Sequence, residues 1–212
     1  MSSITDKRLN PRIDTIKIVT AIICMQFSNL GSLNSLSQAL ASGKYPSVST
    51  IARVADSMDL DEIRAVGASI YQKARKSKMI TPYYGMWTTI VDGHEVIASD
   101  YCKCSHCKKR KLRDKDGRIK YQYYHSFTAF ILAGPDFSFT LDIEPILPGE
   151  GEITSAGRLL ERVCRNYSKA FEVVIGDGLY LKGNMFKLLE GHHKKAIAVL
   201  KEERRQLFQG GK

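Results

Sequence analysis

Over roughly the first eighty residues, apolar side chains recur at the three- and four-residue spacing of a helix face, and beyond Pro82 they change to the alternation of strands. Asn10-Pro11 offers a cap and a first-turn proline, after which Ile16, Val19, Ile23, Phe27 and Leu30 form one stripe that Gly31 ends. Leu33, Leu36 and Leu40 predict a short second helix, broken by Gly43 and Pro46. Ile51, Val54 and Ala55 predict a third between Ser49 and Met58. Asp59 and Glu62 stand at capping-box spacing ahead of Ile63, Val66, Ile70 and Ala74, a fourth helix that runs out in the basic stretch Lys73 to Lys78. Short helices joined by tight turns admit two readings. One is a helix-turn-helix with Ser47, Ser49, Thr50 and Arg53 facing DNA; the other is a packing or dimerisation bundle with ordinary caps.

Trp87 to Val91 predicts a strand closed by Asp92-Gly93. Tyr121 to Ala133 alternates through Tyr124, Phe127, Phe130 and Leu132, and Phe137 to Leu147 predicts a third strand. Gly149 to Glu152 opens a helix with Ile153, Ala156, Leu160, Val163 and Cys164 on one side. Phe171 to Ile175 is the continuous apolar run of a buried strand, ended by Gly176-Asp177-Gly178. A helix from Leu181 to Leu189 and a strand from Ala196 to Leu200 follow. This order predicts an α/β fold, a ribonuclease H-like mixed sheet preceded by a small all-α N-terminal region. The predicted division is 1–80, helical and suited to DNA binding or dimerisation, and 81–212, the ribonuclease H-like domain. In such a sheet the first and fourth strands are neighbours, which brings Asp92 and Asp177 together.

Composition narrows the function. A chain of 212 residues that is 43% hydrophobic can bury a full core. Its longest apolar run, Ile18 to Met25, falls short of the roughly 20 residues that cross a bilayer, and the polar N-terminus has no signal-peptide layout. Membrane insertion and export are not expected; a cytoplasmic, nucleoid-associated location is. The net charge of +10, from 32 basic and 22 acidic residues, favours a polyanionic partner, DNA or RNA, because cations that neutralise phosphates release condensed counterions. The basic residues gather between Lys103 and Lys120, with a second group from Lys194 to Arg205.

Three of the five cysteines crowd into Cys102-Lys-Cys104-Ser-His106-Cys107, a spacing that suits metal ligation better than paired disulfides. Cys104 and Cys107 offer two thiolates to tetrahedral Zn²⁺, with Cys102, His106 or His125 to complete the set. A loop stiffened in this way would present Lys108, Lys109, Arg110, Lys111 and Arg113 to DNA phosphates. The other reading is a set of free thiols on a flexible loop.

Asp92 and Asp177 each follow an apolar strand and precede a glycine. Carboxylates so placed are the ligands that two-metal phosphodiester chemistry requires, holding Mg²⁺ or Mn²⁺ through hard oxygen donors. Asp-Gly also marks ordinary turns. His94 lies two residues beyond Asp92, and Glu95 and Glu152 read as supporting or salt-bridging groups.

Several segments carry a family resemblance in the right order: FSNLGSLNSLSQAL at 27–40, PSVSTIARVADSMDLDEIR at 46–64, TIVDGHEVIAS at 89–99, YYHSFTAFIL at 123–132, LDIEPILPGEGEITSAGRLLERV at 141–163, VVIGDGLYLKGNMFKLL at 173–189 and AIAVLKEERRQLF at 196–208. Together they resemble the DDE transposases of bacterial insertion sequences, the IS4-like group. The resemblance implies metal-dependent DNA cleavage and strand transfer, with Asp92 and Asp177 as the first two catalytic and metal-binding acids, Mg²⁺ or Mn²⁺ as cofactor, and transposon ends bound by a homodimer or higher oligomer. It places the third acid, a Glu, on a helix beyond the last core strand. The sequence therefore reads as truncated before that acid, with Glu202 and Glu203 as solvated charges and not substitutes. A catalytically inactive DNA-binding or dimerising fragment is the alternative.

Overall fold

Four helices precede the strands: α1 (Thr15–Phe27), α2 (Leu33–Ala39), α3 (Val48–Ser57) and α4 (Leu60–Lys76). The computed structural model describes residues 4–5, 7–8, 10–27, 33–39, 46–101, 103–180 and 182–199. Leu30, Gly31, Leu40, Gly43, Leu181, Leu200, Glu202 and Glu203 lie outside them. The chain divides into two units, Met1–Ile70 and Tyr71–Lys212.

In the first unit Ile18 and Ala21 of α1, Leu36 of α2, and Ile51 and Val54 of α3 form one core, with Ile13, Ile22 and Met58 against it. The buried stripe of α1 is thus not the predicted one, since Ile16 is 47% and Ile23 36% exposed. Apolar residues crowd this helix at 16, 18, 19 and 21–23, so two overlapping stripes satisfy the same period, and packing against α2 and α3 selects the second. Ser47 caps α3, its Oγ accepting from the Thr50 N–H at 3.3 Å. The capping box of α4 forms by half. Asp59 Oδ1 accepts from the Asp61 N–H at 2.8 Å, but Glu62 turns to Thr5 and accepts from its backbone N–H at 2.7 Å.

The second unit is built on β1 (Thr88–Ser99), β2 (Lys108–Arg113), β3 (Ile119–Ala133), β4 (Ser138–Pro145), β5 (Val173–Gly176) and β6 (Lys195–Ala198), with α5 (Glu152–Asn166) and α6 (Gly183–Gly191) in the two crossovers. The central strands run β3-β1-β5-β6, and β3 carries both β2 and β4. The β1–β3 and β3–β4 pairs are antiparallel, whereas β1–β5 and β5–β6 are parallel. Three leading strands followed by two crossover units, in the order β4-β3-β1-β5-β6, are the ribonuclease H-like arrangement. α5 packs on β3 and β4, and its predicted face is buried at Ala156, Leu160, Val163 and Cys164. Arg158 and Arg162 on α5 fasten β4 through ion pairs with Asp142 and Glu144.

Two strands depart from the sequence reading. β1 does not close at Asp92-Gly93 but runs on to Ser99, because β3 is long enough to pair with it out to Ser99↔Tyr123. Gly93 is not among the glycines with positive φ, so the dipeptide is extended backbone and not a turn. The basic segment expected as a loop is the strand β2, paired residue for residue with the start of β3. Its turn signal is Asp114 to Gly117: Asp114 Oδ1 accepts from the Asp116 and Arg118 N–H groups at 3.0 and 2.8 Å, and Gly117 takes φ 76°. After β5 a single 3₁₀ turn, Gly178–Tyr180, intervenes before α6, which begins two residues later than predicted.

Candidate active site

β1 and β5 pair in parallel only from Thr88↔Val173 to Ile90↔Ile175. Carried two positions further, the same register sets Asp92 across from Asp177. By this continuation the two acids would meet just past the last paired residues of β1 and β5, at the carboxyl ends of parallel strands, where open α/β sheets gather ligands. Asp92 is 54% exposed in its side chain, on a stretch of β1 whose β5 side has lost its partner strand. Asp177 Oδ1 accepts from the Leu179 N–H at 2.8 Å, which fixes the carboxylate at the mouth of the 3₁₀ turn.

That turn aims Tyr180 back over the end of β5. Its ring lies over Gly176, where a β-carbon would come within 2.9 Å of it, and its hydroxyl donates to Glu152 Oε1 at 2.5 Å. Burial, then the bond to Glu152 and the charges of Asp92 and Asp177, push the phenol well above its ordinary range. The Glu152 carboxylate, in the first turn of α5, occupies the space that a β-carbon on Gly93 would need. A negative side chain is favoured at this helix terminus. Ser155 Oγ donates to the Glu152 carbonyl at 3.0 Å and is itself bonded to Thr128, the β3 partner of Gly93. Glu152, read from sequence as a supporting or salt-bridging group, packs its carboxylate beside the Asp92-Gly93 step and accepts from Tyr180. The two glycines flanking the aspartates were the available signal, because each leaves room for one of these side chains.

Other predicted residues separate. His94 Nε2 lies 3.9 Å from Asp92 Oδ2 and its ring packs on Phe127. Glu95 is an ion-pair partner, accepting from both terminal nitrogens of Arg110 at 2.7 and 2.9 Å. Lys194 is also spent within the fold, donating to the carbonyls of Ser168 and Phe171.

Alternation along β2 sorts the basic residues. Lys109, Lys111 and Arg113 share a face with Tyr121 and Tyr123 of β3; Lys108 and Arg110 point the other way, with Gln122 and Tyr124. Lys109 Nζ sits 3.8 Å from the centre of the Tyr121 ring. Lys109, Lys111 and Arg113 are exposed, whereas Arg110 is engaged by Glu95 and Gln122. At the base of the same hairpin, Cys104 Sγ, Cys107 Sγ and His125 Nε2 converge, the sulfurs 3.5 Å apart and the nitrogen 3.3 and 3.2 Å from them. The His106 N–H and the Cys107 side chain hold the Cys104 thiol below its ordinary range. His106 faces Ser105 instead, and Cys102 lies outside the described residues.

Among solved structures, the chain is similar to the piggyBac transposase in a cryo-EM synaptic complex with hairpin DNA, at 14% identity and a TM-score of 0.42, covering 94% of this chain and 46% of that one. It is also similar to Mos1 transposase in a paired-end complex with the left transposon end, at 10% identity and a TM-score of 0.32, over 91% and 61% of the two chains. A Mos1 mariner paired-end complex with Mn gives 11%, 0.29, 91% and 61%. At these scores the likenesses assign no function. The chain spans between about half and three-fifths of the length of those proteins. No family model matches it, and no protein of curated function does.

Proposed function

We propose that this chain belongs to a DDE-type transposase of the insertion-sequence kind, which cleaves DNA at element ends and joins the freed 3′ end to a target. The observation that carries this reading is the parallel β1–β5 pairing through Ile90↔Ile175, a register that, continued two residues, sets Asp92 across from Asp177. Carboxylates that reach solvent are hard oxygen donors, a set that fits Mg²⁺ or Mn²⁺. Asp92 and Asp177 would hold the ion, while the Glu152 carboxylate packs on Gly93 and accepts from Tyr180 beside them. Divalent ions held there would supply activation of the attacking oxygen and stabilisation of the leaving one. The protein's own part is positional: the Leu179 N–H orients Asp177, and Tyr180 restrains Glu152. Lys109, Lys111 and Arg113 form a basic, aromatic-backed face for DNA phosphates, with a dimer or larger assembly on the DNA. Such an assembly would act on DNA in the cytoplasm. No described helix is long and apolar enough to cross a membrane.

The test pairs metal binding with cleavage. Mg²⁺ or Mn²⁺ is expected to raise the melting temperature of the wild-type chain and to support nicking of DNA. Asp92→Asn and Asp177→Asn each remove both effects. Cleavage that survives either substitution overturns the assignment. The same basic face favours a second reading, a noncatalytic fragment that occupies DNA ends. Tight DNA binding without nicking, unchanged by both substitutions, is its signature.

A further inference from the structure

We infer that Cys104, Cys107 and His125 bind a zinc ion that closes the β2–β3 hairpin at its base. Among the described residues these three form a cluster whose ligand atoms all lie within 4.8 Å of one another. The separations of 3.2–3.5 Å are within a few tenths of the about 3.5–3.8 Å that a tetrahedral zinc with thiolate and imidazole ligands imposes. The donor chemistry agrees with the geometry, since two thiols and one imidazole are soft and borderline ligands that discriminate against Mg²⁺.

The backbone around the thiols is arranged for negative sulfur. The Cys104 N–H donates to Cys107 Sγ at 3.2 Å, and the His106 N–H donates to Cys104 Sγ at 3.4 Å. These donors are fixed by the turn in which the Cys107 N–H bonds the Cys104 carbonyl at 3.3 Å. His125 is brought in by the ladder itself. Lys108 pairs with Tyr124, so the next position of that register sets Cys107 beside His125. A ligand turn on one side of the hairpin thus meets a ligand in the middle of β3, where His125 also pairs with β1.

One end of the hairpin is closed by the Asp114–Gly117 turn. Zinc would close the other, holding the strand that bears Lys109, Lys111 and Arg113 in one register against Tyr121 and Tyr123. Three protein ligands leave one position of the tetrahedron for a further donor. The ion is structural in this role, so its presence is independent of whether the aspartate pair cuts DNA.

The chain, purified under reducing conditions, is expected to retain about one zinc per molecule through gel filtration. Replacing zinc by Co²⁺ should produce a thiolate-to-metal charge-transfer band. Cys107→Ser and His125→Ala each reduce retained zinc to below about a tenth of that, while the cooperative melt of the α/β unit persists. Chelation should speed hydrogen exchange in Lys108–Arg113 and leave β5 protected. A wild-type chain that holds no zinc and gives no Co²⁺–thiolate band overturns the inference without recourse to variants. So does zinc retained equally by both substituted chains.

Discussion

The carboxylate of Glu152 rests against the α-carbon of Gly93, in the space a β-carbon would fill. The obstructing atoms are the far end of a flexible side chain, so Gly93→Ala is expected to displace Glu152 and not to unfold the domain. Stability should fall by about 1–2 kcal/mol, the worth of the Tyr180–Glu152 bond that the displacement breaks. Divalent-metal affinity should fall by roughly tenfold or more, as it does when the groups that orient ligands are removed. Isothermal titration with Mn²⁺ alongside a urea melt separates the two. A large loss of stability with metal binding intact would count against this picture.

Gly176→Ala meets a less forgiving neighbour. Its new methyl would come 2.9 Å from the Tyr180 β-carbon and ring, which cannot swing aside without leaving the buried side of the site. A cost of about 1–3 kcal/mol is expected in a denaturant melt. Tyr180→Phe keeps the ring over Gly176 and loses only the bond to Glu152, about 1–2 kcal/mol. The order of the two variants is the check.

Alkaline pH should weaken the fold. Cys164, Tyr167 and Tyr180 are acids whose ionisation the folded chain opposes, burial being the largest cause in each. In the unfolded chain the protons leave near 9.0 for the thiol and 10.0 for the phenols; in the folded chain they are kept to higher pH. Across that interval the folded state binds more protons, so stability falls as pH rises. The contribution is whole below 9.0 and declines above it, more steeply past 10.0. Calorimetry from pH 7 to about 11 should show the decline, and Tyr167→Phe should make it shallower.

On DNA, the hairpin's two faces should behave differently. Replacing Lys109 and Lys111 by Gln should lower affinity on all sequences and flatten the dependence on salt, by about one unit of slope for each phosphate no longer neutralised. Arg110→Gln should leave that slope unchanged, because its guanidinium already serves Glu95 and Gln122. Its cost is to stability, about 0.5–1 kcal/mol for a half-exposed pair. Equal slopes for the two variants would refute the facial assignment.

Much of this was legible in the chain before folding. The apolar run ending at Gly176 and the pattern from Tyr121 to Ala133 are local signals that tertiary packing did not override. What escaped was decided at a distance. Asp92-Gly93 reads as a turn until the length of β3 is known. Lys108 to Arg113 has the charge of a loop, and only pairing with Tyr121 to Tyr124 makes it a strand. The stripe of α1 was ambiguous because two registers of one helix were equally apolar. Glu152 had no motif of its own; its role depends on α5 delivering it to a glycine on β1.

The outer edge of β3 is shared without overlap, β2 pairing with Ile119–Tyr124 and β4 with Phe127–Ala133. The hairpin is therefore an excursion between β1 and β3 that borrows a stretch of edge the central strand order never uses. An arm of another length, charge or metal content can be spliced at Ser99 and Ile119 while the aspartates, Glu152 and Tyr180 keep their places. The arm proposed to grip a polyanion is thus structurally separable from the carboxylates.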